Sequence, residues 1–181
     1  NGCEAVIQSF NLWEGQREFL AEAFKDGENQ FKDGNFSRSD TQLCLEVVDL
    51  DLYQTLNGFV KKAFEQYTSV YSGILQNNDP VSTWTTKVQK TKAGGGYHQW
   101  HCENGQFLYR DRVLAWMVYL NTVPSQSGGG TDFLHQKLTL QPEAGTIVLC
   151  PASYTHVHRG GFLTGNVDKY IATGWFIREP T

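Results

Sequence analysis

The chain changes character at Pro80, and this change constrains its fold more than any other feature. Beyond this proline, short segments rich in β-branched and aromatic residues are separated by clusters of glycine. Such segments predict short strands joined by turns. We expect strands in seven ranges, which are 83–91, 96–103, 113–122, 137–141, 145–150, 153–158 and 168–178.

The part before Pro80 has a different periodicity. Apolar residues recur every three or four positions in 15–26 and 51–74, and this spacing predicts amphipathic helices. Helices followed by many short strands indicate an α+β protein, with a β-sandwich or jelly-roll barrel buttressed by the helices. With 181 residues, we expect one domain over 1–181, mainly helical support in 1–80 and the jelly-roll core in 81–181. The second helix should bury one face formed by Leu52, Leu56, Phe59, Ala63, Tyr67 and Val70.

Composition excludes little but favours an ordinary globular protein. The formal net charge of −4 gives no electrostatic footprint for nucleic acid. We find no apolar run long enough to span a bilayer and no secretory leader. The four cysteines contain no CxxC pair, so we expect reduced thiols rather than structural zinc, in a cytoplasmic protein.

The segment GYHQWHCEN concentrates coordinating side chains. Because side chains alternate along a strand, His101 and Glu103 should point to the same side. A later segment, YTHVHRG, offers His156 and His158, again on a shared face. One of these would complete the two-histidine, one-carboxylate set of a non-heme Fe(II) site, although a zinc hydrolase can be built from the same donors.

A lysine in the last predicted strand indicates a ligand for that site. Lys169 shares a face with Ile171, Thr173 and Trp175. A lysine buried on an apolar face is costly unless it meets an anion. A dicarboxylate cosubstrate would supply one, with the Thr173 hydroxyl as a second donor; the alternative is an exposed lysine at a sheet edge.

Several motifs occur together in a recognisable order. They are GYHQWHCEN, VLAWMVYLN, GGGTDF, QPEAGTIVLCPA, HVHRGG and KYIATGW. In order and spacing they resemble the Fe(II)/2-oxoglutarate-dependent oxygenases, and most closely the prolyl 4-hydroxylase-like group with its small microbial and phage members. The resemblance covers roughly the last hundred residues and implies a double-stranded β-helix (jelly-roll, cupin-like) core.

The resemblance also implies roles for individual residues. His101, Glu103 and His158 correspond to the iron ligands, although His-x-Asp is the commoner pattern where this chain has Glu103. His158 fits better than His156 because Arg159-Gly160 follow it and Lys169 comes eleven positions later. Four residues correspond to the 2-oxoglutarate site, namely Lys169, Tyr119, Thr173 and Tyr97, and the substrate candidates are Arg159, Arg110 and Tyr109.

The remaining aromatic and imidazole residues receive simpler roles. His98 and His135 are expected beside the ligands or at the surface, and Trp116 and Trp175 in the core.

The implied activity is hydroxylation of an unactivated C–H bond by a dioxygenase that uses Fe(II), O2 and 2-oxoglutarate and releases succinate and CO2. Peptidyl proline is the leading substrate, and ascorbate is the expected reductant. A free amino acid, a small metabolite or a nucleobase is the alternative substrate. A non-oxidative cupin-type metalloenzyme or a non-catalytic binding domain is the alternative of another class. The expected partners are peptides or small molecules, without a membrane.

Overall fold

The computed structural model describes residues 2–30, 36–78, 80–105 and 107–179. Its α-helices are α1 (Gly2–Glu14), α2 (Leu45–Val48) and α3 (Leu50–Val70). Its strands are β1 (Phe24–Gln30), β2 (Phe36–Cys44), β3 (Val81–Thr91), β4 (Gly96–Tyr97), β5 (Arg112–Tyr119), β6 (Thr131–Phe133), β7 (Leu138–Leu140), β8 (Ile147–Pro151), β9 (His158–Gly160) and β10 (Lys169–Arg178).

The strands form two antiparallel sheets. The major sheet has the order β1-β2-β3-β10-β5-β8, with β4 paired to β2, and the minor sheet has the order β7-β6-β9. Residues of both sheets line one cavity, which lies at the centre of the fold. The architecture is the double-stranded β-helix with helical support that the sequence predicts.

The helices cover the outer face of the major sheet. Strand alternation directs Tyr170, Ala172 and Phe176 of β10 towards this layer, where they join Phe10 of α1 and Val60 of α3 in the main hydrophobic cluster. The cavity is lined instead by the alternate residues of this strand, Lys169, Ile171, Thr173 and Trp175. One face of the major sheet therefore packs against the helices, and the other face lines the cavity.

Helix α3 confirms the predicted helix but not all of the predicted buried face. Asp49 caps it by accepting a hydrogen bond from the Leu52 amide at 3.1 Å. Val60 is fully buried, whereas Phe59 is 53 % exposed and Val70 is 71 % exposed. The helix is rotated so that the face containing Leu56 and Val60 meets the sheet.

The first forty residues correct the sequence interpretation. The predicted helix over 15–26 is wrong, because short 3₁₀ turns occupy Arg17–Phe19 and Ala21–Ala23 before β1 begins at Phe24. Strands β1 and β2 are polar, as FKDGENQ and FSRSDTQLC show, so they carry little apolar alternation. Antiparallel pairing of β1 with β2 and of β2 with β3 stabilises them, and the charges on β1 suit its place at the sheet edge.

Two predicted strands around the coordinating residues are also shorter than expected. The range 96–103 contains only β4, after which the chain bends. Gly96 has a φ of 149°, and the His98 ring lies so close to it that a Cβ on Gly96 would be 2.3 Å from His98 Cε1. The chain therefore leaves the strand conformation after Tyr97. The range 153–158 is mostly the 3₁₀ turn Tyr154–His156, followed by β9.

Five of the predicted strands are confirmed, as β3, β5, β7, β8 and β10, and β6 was not predicted. Cys44, Cys102 and Cys150 are free thiols. Within the described ranges, every helix is too short or too polar to cross a membrane.

Candidate metal centre

Three side chains converge at the inner end of the cavity. The ligand atoms of His101, Glu103 and His158 all lie within 4.8 Å of one another. Glu103 Oε1 is 3.4 Å from His101 Nε2 and 3.5 Å from His158 Nε2. The two histidines that the sequence indicated, one from each motif, therefore meet at a single carboxylate oxygen.

The backbone fixes this convergence. The amide of His101 donates to the His158 carbonyl at 3.0 Å, and the amide of His158 donates to the His101 carbonyl at 2.9 Å. This antiparallel bridge joins the segment after β4 to β9. The Glu103 amide donates to the Ala152 carbonyl at 2.9 Å, which holds the carboxylate beside the bridge. These main-chain hydrogen bonds position His101 and Glu103, which the sequence had placed on one long strand.

Both imidazoles are oriented by main-chain carbonyls. Nδ1 of His101 lies 2.8 Å from the Gln99 carbonyl oxygen, and Nδ1 of His158 lies 2.9 Å from the His156 carbonyl oxygen. A carbonyl accepts a hydrogen bond from Nδ1–H, which leaves the Nε2 lone pair free on each ring. Both free lone pairs belong to the atoms nearest Glu103, as metal coordination requires.

Glu103 is held on its other side by two donors that sequence analysis did not identify as functional. Trp175 Nε1 donates to Glu103 Oε2 at 2.9 Å, and Arg112 Nη1 donates to the same oxygen at 3.3 Å. The Arg112 guanidinium lies 3.6 Å from the centroid of the Trp175 ring. Burial alone would raise the pKa of Glu103, but hydrogen bonds and charges from His101 and His158, when their Nε2 atoms carry protons, outweigh it and hold this pKa well below its usual range. A metal cation bound to both Nε2 atoms would replace those protons and stabilise the same carboxylate charge. The carboxylate is therefore ionised, with Oε1 available.

A second polar group lies elsewhere in the cavity. Lys169 is buried, with 7 % of its surface exposed, and its Nζ donates to the Gly129 carbonyl. Among the described residues no carboxylate lies within ion-pair distance of Lys169. Burial lowers the pKa of Lys169 to about 8. A buried ammonium without a carboxylate partner is costly, so an anion bound beside it would be stabilised.

Tyr119 and Thr131 lie near this lysine. The Tyr119 hydroxyl donates to Thr131 Oγ1 at 2.8 Å, and the Tyr119 ring centroid is 5.6 Å from Lys169 Nζ. Burial raises the pKa of Tyr119 to about 12, so its hydroxyl stays protonated. Thr131 was missed by sequence reasoning because its strand, β6, was not predicted.

One cavity of about 550 Å³ connects these groups. Its lining includes the three converging residues, Lys169, Tyr97, Thr173, Arg159 and Tyr109. Tyr97 stacks on His101 with ring centroids 4.0 Å apart, and Tyr109 lies against the Arg112 guanidinium. The Thr173 hydroxyl donates to the Trp116 carbonyl at 2.8 Å, so one of its bonds is already used within the sheet.

Other candidates lie apart from the centre. Arg159 pairs with Asp132 at 3.1 Å, whereas Arg110 is exposed and pairs with its neighbour Asp111. His156 does not belong to the converging group, and its Nδ1 lies 3.1 Å from Thr155 Oγ1.

Three further imidazole and indole side chains lie in or near the core. His98 is buried and stacks on Phe162 with ring centroids 3.9 Å apart. Trp116 is in the core as expected, but Trp175 is both packed and bonded to Glu103. The face that Trp175 shares with Lys169 was the sequence feature that could have revealed it.

A family model supplies the identity of this arrangement. The model of the 2OG-Fe(II) oxygenase superfamily matches residues 86–177, which is half of the chain and includes the three converging residues and Lys169. The chain belongs to this superfamily. It is therefore a dioxygenase that uses Fe(II) and 2-oxoglutarate. No curated protein matches the sequence.

Solved structures with the same fold include three prolyl hydroxylases. The viral collagen prolyl hydroxylase of Paramecium Bursaria Chlorella virus-1, in its 2OG complex, has 17 % identity and a TM-score of 0.63, over 87 % of this chain and 97 % of that one. A Trichoplax adhaerens prolyl hydroxylase, in complex with a hypoxia inducible factor peptide fragment, has 17 % identity and a TM-score of 0.71, over 98 % and 79 %. A Pseudomonas putida prolyl-4-hydroxylase has 16 % identity and a TM-score of 0.63, over 95 % and 86 %.

The donor set of this oxygenase fits its metal. Two neutral imidazole nitrogens and one ionised carboxylate oxygen form the facial set typical of non-heme Fe(II) enzymes, which leaves coordination positions for other ligands. The buried Lys169 ammonium likewise fits a dicarboxylate, because it lacks an anionic partner among the residues described here.

Proposed function

We propose that His101, Glu103 and His158 bind Fe(II), that Lys169 binds the distal carboxylate of 2-oxoglutarate, and that the enzyme hydroxylates peptidyl proline. The observation that carries this proposal is the approach of both Nε2 atoms to Glu103 Oε1, at 3.4 and 3.5 Å. His158 is preferred to His156 because only His158 has its Nε2 in this group.

The residues around the metal centre orient the metal ligands and the cosubstrate. The carbonyls of Gln99 and His156 hold Nδ1–H and so orient the imidazoles, while Trp175 and Arg112 hold Glu103 Oε2. The bound iron and 2-oxoglutarate supply the oxidation of a C–H bond by O2, with succinate and CO2 as products. Lys169, with its ammonium charge, orients the cosubstrate, and Tyr119 supports this site from behind, with its ring beside Lys169 and its hydroxyl bonded to the cavity-lining Thr131. Tyr97 and Thr173 complete the wall of the cosubstrate site.

The choice of proline is supported by the fold. The three structural relatives described above are prolyl hydroxylases, and the Trichoplax protein holds a peptide fragment. The cavity that leads to the converging residues is lined by Tyr109 and Trp175, whose rings suit a proline ring. A free amino acid or small metabolite would enter the same cavity and is the alternative.

The metal assignment is tested with two matched variants. His158→Ala should reduce Fe(II) binding from one equivalent to nearly none, because it removes one of three protein ligands, whereas His156→Ala should retain one equivalent. Iron stoichiometry after anaerobic loading and desalting measures both. Loss of iron in His156→Ala together with retention in His158→Ala would contradict the ligand assignment.

The substrate is tested by the reaction itself. Proline-containing peptides, free amino acids and oligonucleotides are incubated with Fe(II), 2-oxoglutarate and O2, and succinate is measured together with a gain of one oxygen by mass spectrometry. We expect oxygen gain on proline in a peptide. Oxygen gain on a free amino acid or a nucleobase, without any on a proline peptide, would replace the prolyl proposal by that alternative.

A further inference from the structure

A group of basic side chains lines a part of the cavity that the proposed cosubstrate site does not use. Lys25 of β1, Arg38 of β2 and Lys87 of β3 all line the cavity, and Arg112 of β5 lies on its floor. Asp40 of β2 is the carboxylate among them. We call Lys25, Arg38 and Lys87 the basic wall.

The basic wall lies close to the candidate metal centre. Lys87 Nζ is 5.1 Å from the centroid of the Trp175 ring, and Trp175 donates directly to Glu103. The Arg38 guanidinium is 4.8 Å from the Tyr97 ring centroid, and Tyr97 stacks on His101. One aromatic ring therefore separates each of these two cations from a proposed metal ligand, and both cations line the cavity that contains these ligands.

The charges in this region do not balance. Asp40 accepts from Arg38 Nε at 3.0 Å and Nη2 at 3.1 Å, and Arg112 is paired with Glu103. Lys87 has neither a hydrogen bond nor a carboxylate within ion-pair distance among the described residues. Burial lowers the pKa of Lys87, and the charges of Arg38, Arg112 and Lys25 lower it further. Asp40 acts on Lys87 through its charge, but from beyond ion-pair distance and while paired with Arg38. Lys87 is therefore a half-buried cation that lacks a directly paired anion among the described residues.

This cation is separate from the proposed 2-oxoglutarate site. In the sheet Lys87 lies opposite Thr173, whereas Lys169 lies opposite Thr91. The two lysines are thus four residues apart along the paired strands, or about 13 Å at the usual rise of a β-strand. A carboxylate bound to Lys169 would not neutralise Lys87.

We propose that Lys87, with Arg38 beside it, binds a carboxylate of the substrate while the C–H bond to be oxidised lies over the metal. This inference rests on the proposed function of the site. A single uncompensated lysine matches the single charge of a carboxylate better than the double charge of a phosphate. The carboxylate comes either from an acidic residue near the target proline or from the free terminus of a proline.

The test compares paired ligands that differ only in this charge. One pair is a proline peptide with Asp or Asn next to the proline, and the second is L-proline and L-prolinamide. Their dissociation constants are measured by calorimetry on protein loaded with Mn²⁺ and 2-oxoglutarate, so that no turnover is needed. In the wild type the charged member of at least one pair should bind about tenfold more tightly.

Variants assign this preference to Lys87. Lys87→Gln should reduce the preference to less than about twofold, and Lys87→Arg should restore it, because a cation is restored. Lys92→Gln removes the same charge from an exposed position just beyond β3 and should leave the preference unchanged. The pair that shows the preference identifies the source of the carboxylate.

Several outcomes overturn the inference. They are equal affinity for both members of each pair, no binding by any of them, a preference that survives Lys87→Gln, and weaker 2-oxoglutarate binding in Lys87→Gln. The proposed function is judged separately by oxygen gain on proline. A preference that depends on Lys87 without any oxygen gain on proline would uphold the carboxylate site and refute the prolyl assignment.

Discussion

Trp175→Phe should weaken metal binding even though Trp175 is not a proposed ligand. The substitution keeps an aromatic ring in the cavity but removes the Nε1–H that donates to Glu103 Oε2 at 2.9 Å. That bond is short and partly buried, and its acceptor is charged, whereas the Arg112 bond to the same oxygen is longer, at 3.3 Å. The indole is therefore the stronger of the two groups that turn Oε1 towards the histidines.

The size of the effect follows from the bond. A hydrogen bond to a charged group contributes about 1.5–3 kcal/mol, which corresponds to a factor of about 10 to 150 in affinity. Loss of a group that orients a metal ligand typically costs a similar factor, about 10–100. We therefore expect the Fe(II) dissociation constant to rise by about 10- to 100-fold in Trp175→Phe.

Anaerobic titration with Fe(II), or calorimetry with Mn²⁺, measures this change. Trp13→Phe is the matched control, because Trp13 lies in α1 and packs against the core of the outer layer. A dissociation constant within twofold of the wild type in Trp175→Phe would refute the view that the indole positions Glu103. A double-mutant cycle with Arg112→Met would show whether the two donors act together.

Three further predictions concern Lys169 and Gly96. Lys169→Met should abolish measurable 2-oxoglutarate binding, which calorimetry measures. It should also raise the free energy of unfolding by about 1–3 kcal/mol near pH 7, because the folded pKa of about 8 lies below the unfolded value of 10.5 and the charged form is disfavoured in the fold. Denaturant unfolding measures this second effect, and a less stable variant would contradict this reasoning. In the wild type, 2-oxoglutarate affinity should be constant below about pH 7, fall about twofold by pH 8 and fall about tenfold by pH 9, since above the Lys169 pKa of about 8 the anion binds only with uptake of a proton. Lys169→Arg should remove this fall, and a flat wild-type profile would exclude Lys169 as the group responsible. Gly96→Ala should destabilise the fold by about 1–3 kcal/mol, because the φ of Gly96 is 149° and an added Cβ would collide with the His98 ring. Thermal unfolding measures this loss. Gly94→Ala is the control, because Gly94 also has a positive φ but has open space around it.

Sequence reasoning succeeded where one face of an element is uniformly apolar or chemically distinctive. Strands β5 and β10 were predicted because both are rich in apolar residues, and the two-residue period along β10 put Lys169 on the face of Thr173 and Trp175, which lines the cavity. The residues His101, Glu103 and His158 were identified from spacing and resemblance, and the structure brings the three together.

The rest could not be predicted because it depends on partners distant in sequence. Strands β1 and β2 are polar, and they form because β2 pairs with β3 and β1 pairs with β2. Arg112 lies nine residues after Glu103, but it reaches the Glu103 carboxylate because its guanidinium in β5 stacks on Trp175 of β10. The basic wall likewise combines residues from separate strands, and none of its members belongs to a motif.

The reciprocal bridge between His101 and His158 gives the proposed metal a role as a cross-link. The bridge joins the segment that follows β4 of the major sheet to β9 of the minor sheet, whose three strands have three residues each. A metal held by both histidines adds its binding free energy to the association of the two sheets. Iron supply would then govern not only turnover but also how long the folded chain resists proteolysis.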